Sequence, residues 1–308
     1  MTKDNMKDLI ILGAGPAGLG ASIYASRYKI DHMLIGKEAG GYLNEIHKIE
    51  NYLGFESITG MELGLKMRSH VEGLGIELQQ EVAEKIEVVD GGFKVITDKG
   101  EHEAKKILYA IGTSARKLDI EGEEKFMGKG VSYCATCDGP FFRNKKIIVV
   151  GGGNSAAMAA LMLAEYAEKV TLVYRGPELS CLPSYSDSLK DNDKIKIEYS
   201  KNIVRIEGEN VVEKVILQDH EKEESEVEAD GVFIEIGSLP NQEMLVSLGV
   251  EMDEQGFVRT SANQSTSVEG IYAAGDITTN SNGFRQVITA AAEGAVATLE
   301  IFRKLKEK

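Results

Sequence analysis

Cys134 and Cys137 stand two residues apart in the run Cys134-Ala135-Thr136-Cys137-Asp138-Gly139. A CxxC pair supplies half of a metal site or closes a small disulfide whose thiolates exchange with a partner. Zinc would need two further ligands, and Cys181 with the five scattered histidines offers no paired ligand spacing. Redox chemistry is therefore the stronger reading, and no metal is expected. Asp138, beside the second cysteine, can carry a proton to or from a thiolate if burial raises its pKa. Asp138-Gly139-Pro140 is equally a turn-forming run, and the residues alone leave those two roles at even odds. Cys181 reads as a buried or loop thiol without catalytic duty. His32, His47, His70, His102 and His220 are isolated and take surface or packing roles.

A second kind of chemistry lies in two glycine turns. The apolar run Leu9-Ile10-Ile11-Leu12 ends in Gly13-Ala14-Gly15-Pro16-Ala17-Gly18, followed by a helical pattern from 19 to about 27. Gly13 permits the tight turn, Gly15 lets the backbone approach a pyrophosphate, and Gly18 allows strand and helix to pack closely. The helix N-terminus adds unpaired N–H groups and the positive end of its dipole. Glu38 stands about 20 positions on, where an acidic residue would hold the ribose of a dinucleotide. The run Ile147-Ile148-Val149-Val150 leads likewise into Gly151-Gly152-Gly153-Asn154-Ser155-Ala156 and an Ala/Leu/Met-rich stretch to about 167. After the second strand of that unit comes Tyr174-Arg175-Gly176-Pro177. This is neither the acidic residue that selects NAD(H) nor the arginine cluster that selects NADP(H).

These turns need buried parallel strands to position them. Continuous apolar runs of this length suit such strands, with second strands predicted at 32–35 and 170–174. Closing strands are expected at 107–112 and 231–237, each after a polar alternating region, 85–97 and 203–228, that reads as antiparallel hairpin or meander. Charge-rich 219–228 is expected to be a solvated hairpin loop. The pattern is a duplication. The fold class is α/β, with two Rossmann-like, three-layer dinucleotide-binding domains and the second inserted into the first. The outer domain is predicted at 1–117 and 246–308, the inner at 118–245.

Bulk properties narrow the partners. A net charge of −14 disfavours nucleic acid and anionic membrane surfaces, both of which reward basic proteins. No stretch approaches the roughly 18 apolar residues of a membrane span. The first eight residues run almost directly into a strand, without room for a signal peptide, so a cytosolic protein is expected.

The chain resembles the low-molecular-weight thioredoxin reductases over essentially its whole length. The resemblance rests on Gly13–Gly18, Gly40-Gly41, Glu50-Asn51-Tyr52-Leu53-Gly54, Cys134–Gly139, Gly151–Ala156, Ala274-Gly275-Asp276 and Arg285-Gln286-Val287, in that order. It implies FAD in the outer domain, with Gly13, Gly15, Pro16, Ala17 and Gly18 at the pyrophosphate and Glu38 at the ribose. Gly41, Leu43, Asn51, Val82, Ala110, Gly112, Gly275 and Asp276 would complete the site, Asn51 and Asp276 toward the ribityl phosphate. Arg285, Gln286 and Val287 would open the last helix beneath the flavin pyrimidine. By the same resemblance Cys137 faces the flavin, Cys134 attacks the partner disulfide and Asp138 handles the proton. The inner domain rotates to expose the dithiol. Lys129, Phe141 and Phe142 match the thioredoxin-docking surface, although the two phenylalanines would serve equally as core. A homodimer is implied.

One departure bears on the electron donor. Relatives that use NADPH carry a His-Arg-Arg run and a further Arg after the second inner strand. Here those positions read Tyr174-Arg175-Gly176 and Ser180, and Met158-Ala159 replaces the usual glutamate pair. Gly151, Gly153, Asn154, Ser155, Ala156 and Arg175 would hold NAD(P). NADPH ranks first because it serves most of the family, with NADH, ferredoxin and a reduced deazaflavin as rivals. Thioredoxin or a thioredoxin-like protein is the expected acceptor. A flavin/disulfide redox sensor without high turnover is the alternative from another class.

Overall fold

The computed structural model describes residues 6–46, 49, 51–133 and 135–307. The chain first builds β1 (Lys7–Leu12), α1 (Pro16–Tyr28) and β2 (His32–Ile35). Next come α2 (Gly60–Gly73), β3 (Leu78–Gln79) and a meander of β4 (Ala83–Val89), β5 (Gly92–Thr97) and β6 (Glu101–Tyr109), then β7 (Thr113–Ala115). The middle of the chain holds β8 (Val131–Ser132), α3 (Ala135–Asp138), β9 (Lys146–Val150), α4 (Asn154–Ala164), β10 (Lys169–Tyr174), α5 (Pro183–Lys190) and β11 (Ile195–Tyr199). There follow β12 (Asn202–Glu207), β13 (Lys214–Gln218), β14 (Glu224–Glu228) and β15 (Gly231–Ile234). The chain then returns through β16 (Ser238–Pro240), α6 (Glu243–Val246), β17 (Ile271–Ala273) and α7 (Val287–Lys306).

Two compact units result, Met1–Ser114 with Leu239–Lys308 and Ala115–Ser238. The crossings fall at 114/115 and 238/239, earlier than the 117 and 246 expected from sequence. The second is displaced because Leu245 of α6 is fully buried among Ile10, Ile86 and Ile271 of the first unit. The two crossing segments, β7 and β16, pair as a two-stranded ribbon.

In the first unit β3-β2-β1-β6 run parallel, and β6 forks. Its N-terminal half pairs antiparallel with β5 and its C-terminal half parallel with β17. Period-two alternation divides the core into two faces. Leu9 and Ile11 pack with α1 and α7, whereas Ile10 and Leu12 pack with the meander. The layers are helices, parallel sheet and meander. The second unit repeats this arrangement: β11-β10-β9-β15-β8 is parallel throughout. Ile147 and Val149 face α4, while Ile148 and Val150 face the antiparallel β12-β13-β14 sheet.

β2 has the bounds read from the sequence. α1 begins at Pro16 rather than Leu19, because proline's fixed φ and missing N–H suit the first helical position. The charged run at 219–228 is only partly a loop. Glu224–Glu228 forms an edge strand on β13, its side chains mostly exposed, and the backbone ladder holds it without an apolar pattern. Among the described residues no helix is long and apolar enough to cross a membrane.

Candidate functional site

The first glycine turn has the geometry its residue types demand. Gly13 has φ +107°, and a Cβ there would lie 2.2 Å from the Ala110 carbonyl oxygen. A Cβ on Gly18 would lie 1.8 Å from the Gly13 oxygen, so only hydrogen fits where helix meets turn. Gly15 is the N-cap of α1 and gives no side-chain cap, with Pro16 in the first turn. The leading N–H groups of α1 are therefore left for an anion, as a dinucleotide pyrophosphate requires. The turn is walled by the segment after β2, where the Gly40 N–H donates to the Ala14 carbonyl at 2.8 Å. Gly41 follows there with φ +54°. Glu38, three residues past β2, is exposed.

The structure brings several of the other residues together. Asn51 Nδ2 donates to Gln286 Oε1 at 2.9 Å, across most of the sequence. Arg285 Nε donates to the Asp276 carbonyl at 3.1 Å, and its guanidinium lies 3.7 Å from the centre of the Phe257 ring. Leu43 is buried in a small cluster against which Val287 packs, and Ala17 lies beside Gly275. α7 begins at Val287, capped by Gln286 and Thr289. Gly112 lies just past β6, its carbonyl accepting from the Asn241 N–H at 3.2 Å. Val82 is met instead at the meander, exposed, with its N–H held by Asp98 at 2.8 Å.

A residue the sequence reading missed pins this region. Glu293 on α7 is 7% exposed and accepts from the Gly275 N–H at 2.8 Å, Thr278 Oγ1 at 3.1 Å and Ser281 Oγ at 2.6 Å. Its signal was a carboxylate among the small residues Ala290, Ala291, Ala292, Gly294 and Ala295 of the helix. The carboxyl of Asp276 is pushed up to about 6, chiefly by burial and partly by Glu293, against the opposing pull of Arg285. A carboxyl raised in this way favours the folded protein in its neutral form. That contribution is complete below 3.8 and is lost as pH rises through about 6. It amounts to at most about 3 kcal/mol. In urea unfolding of flavin-stripped protein, wild type should therefore lose stability relative to Asp276→Asn between pH 4 and 7. A pH-independent difference between the two would refute the assignment.

The CxxC segment is described only in part. Cys134, like His47 and Glu50, lies outside the described residues, as does the side chain of Cys137. The backbone of Cys137 is in α3, whose Ala135 is buried with Ala156, Ala160 and Leu163 of α4. Asp138 is half-buried and caps the following 3-10 turn, Gly139–Phe142, without a side-chain cap hydrogen bond. Its carboxylate is thus not committed to the turn. The two phenylalanines divide: Phe142 packs edge-on against Phe233 with ring centres 5.2 Å apart, whereas Phe141 is 81% exposed. Lys129 is exposed.

In the second turn Gly151 and Gly153 lead into α4, whose N-cap Gly153 gives no side-chain cap. Ser155 is the second residue of that helix, and Ala156 is buried beneath the turn. Asn154 is engaged, its Oδ1 accepting from the Leu182 N–H at 2.8 Å. Ser180 bonds the Gly152 carbonyl through both its N–H at 2.8 Å and its hydroxyl at 3.1 Å. The Tyr174 ring lies against Gly152, where a Cβ would come within 2.4 Å of it. Arg175 is exposed. Met158 is half exposed and Ala159 buried, so neither offers a polar group. Cys181 is a free, half-buried thiol packed against the α4 core. His102 is paired with Glu81 at 2.7 Å, and His32 is buried against Ser22. Among the described residues no cluster of His, Cys, Asp or Glu is arranged to hold a metal.

Residues 7–294 match the family model for pyridine nucleotide-disulphide oxidoreductases. The chain is 39% identical to the thioredoxin reductase of Bacillus subtilis over 100% of its own length and 97% of that protein. Its fold superimposes on the thioredoxin reductase of Lactococcus lactis with a TM-score of 0.92 at 36% identity, covering 98% of this chain and 100% of that one. The Thermoplasma acidophilum thioredoxin reductase follows at 0.89 and 34% identity, covering 98% and 99%.

Proposed function

The chain belongs to the pyridine nucleotide-disulphide oxidoreductases, as a flavoenzyme of the thioredoxin reductase type, and from that premise we propose how its own residues divide the work. The unit of Met1–Ser114 and Leu239–Lys308 binds FAD, and Ala115–Ser238 carries the redox pair and the donor site. FAD supplies a two-electron carrier between donor and disulfide. The uncapped α1 N-terminus with Gly13, Gly15 and Gly18 suits its pyrophosphate, and Glu38, Asn51 and Asp276 offer acceptors and donors for its hydroxyls. Cys134 as thiolate attacks one sulfur of the thioredoxin disulfide. Cys137 then attacks Cys134, which releases the thioredoxin dithiol and closes the Cys134–Cys137 disulfide. Asp138, beside Cys137 in sequence, is the group placed to pass a proton to the leaving thiolate. The observation that carries this reading is the seat of the Cys137-bearing turn on α4, the helix of the second glycine turn. The same reading implies a cytosolic setting and a homodimer.

For the donor, NADPH stands first by the habit of the family, and one observation favours a second reading. Of the positions that carry arginine in NADPH-using relatives, Arg175 is exposed and Ser180, in place of arginine, is bonded to the Gly152 carbonyl. No bidentate clamp for a 2′-phosphate is formed by these positions. The expected result is discrimination between NADPH and NADH of less than about tenfold in kcat/KM, under about 1.4 kcal/mol. Anaerobic bleaching of the flavin by NADPH, NADH, ferredoxin and reduced deazaflavin in turn measures this, followed by thioredoxin-coupled insulin reduction. Rapid bleaching by micromolar NADPH alone would sink the second reading. Failure of insulin reduction with every competent donor would sink thioredoxin as the acceptor.

A further inference from the structure

A buried carboxylate is bonded to Tyr133, the residue before Cys134 in sequence, and is not explained by the chemistry above. Glu123 is 4% exposed. It accepts from the N–H groups of Leu118 at 2.9 Å, Asp119 at 2.6 Å and Ile120 at 3.4 Å, and from the Tyr133 hydroxyl. Asp119 adopts φ +56°, a strained conformation for a residue with a side chain, and this lets three successive amides converge on one carboxylate. The Tyr133 ring packs against the buried cluster that holds Phe126 and Val131, as do Leu118 and Ile120. Its phenol is pushed far up by burial, then by the Glu123 hydrogen bond, so it remains an obligate donor. Tyr133 follows β8, which is locked to β15 through Val131 and Ser132, and it directly precedes Cys134.

We propose that Glu123 and Tyr133 are positioning residues that fix the backbone entering Cys134, raising the effective concentration of one cysteine toward the other. An anchored entrance reduces the entropy lost when the two sulfurs join, and so favours the disulfide. The clamp also ties that entrance to residues 118–120, which follow the crossing between the units. The proposal rests on the redox role of Cys134 and Cys137 given above.

The test is the thiol–disulfide equilibrium of the holoenzyme, poised anaerobically in glutathione buffers and read by alkylation and mass. The exchange converts the dithiol and glutathione disulfide into the Cys134–Cys137 disulfide and two glutathione thiols, moving two electrons and two protons to glutathione. Tyr133→Phe keeps the ring and removes the hydroxyl. It should shift the equilibrium toward the dithiol about fivefold, with the thermal midpoint and flavin spectrum of wild type. Glu123→Gln should move it in the same direction; if that variant does not fold, Tyr133→Phe decides alone. A Tyr133→Phe constant within twofold of wild type overturns the clamp, including where only thermal stability falls. Absence of any Cys134–Cys137 disulfide in wild type overturns the redox assignment, and the clamp with it.

Discussion

Exchanging Cys137 for serine is expected to cut thioredoxin-dependent turnover by at least about a thousandfold while flavin stays bound. A hydroxyl can neither form the internal disulfide nor resolve a mixed disulfide at Cys134. Cys134→Ser should be as inactive for a different reason, since the attacking thiolate itself is gone. The two variants separate on incubation with oxidised thioredoxin after reduction. Cys137→Ser should trap a covalent adduct, and Cys134→Ser should not. Full insulin-reducing activity in either variant would remove the dithiol from the proposed circuit. Sustained turnover by wild type excludes the sensor reading, which needs the same cysteines but no flux.

The second large effect belongs to the first glycine turn. Gly18→Ala would place a methyl 1.8 Å from the Gly13 carbonyl oxygen, a backbone atom that cannot swing aside. Overpacking of this kind costs about 3 kcal/mol or more, and relieving it must tilt α1 away from the turn. The expected outcome is at least a hundredfold loss of FAD affinity, with a lowered unfolding midpoint even in stripped protein. Gly73→Ala, where nothing lies within 4 Å, is the control and should stay within about 0.5 kcal/mol of wild type. Wild-type FAD retention by Gly18→Ala, measured by flavin fluorescence after gel filtration, would contradict the role given to this turn.

Much of the scaffold was legible because buried parallel strands leave so little choice of residue. Ile147–Val150 and Leu9–Leu12 have nowhere to face but apolar layers on both sides, and each run announces its strand. The edge strand Glu224–Glu228 was missed because backbone pairing holds it and its side chains answer to solvent. The glycine turns were readable since steric exclusion selects one residue type. Their surroundings were not: the bond from Asn51 to Gln286, the Glu293 anchor and the Glu123–Tyr133 pair join residues whose proximity no local pattern encodes. Families of sequences expose such pairs indirectly; a single chain shows only the separate members.

The packing of α1 on α7 sets an order of events during synthesis. A Cβ on Gly294 of α7 would lie 2.0 Å from the carbonyl oxygen of Ala17, so the two helices touch backbone to backbone just past the first glycine turn. β17 of that unit's sheet is also made only after Ala115–Ser238 is complete. The inserted unit is contiguous and holds all five strands of its own parallel sheet, so it can close on the ribosome while its host is still open. The host must wait, its β1 and α1 exposed, for partners translated last. On the proposed assignment of the first glycine turn, flavin acquisition is a late step, coupled to the emergence of α7.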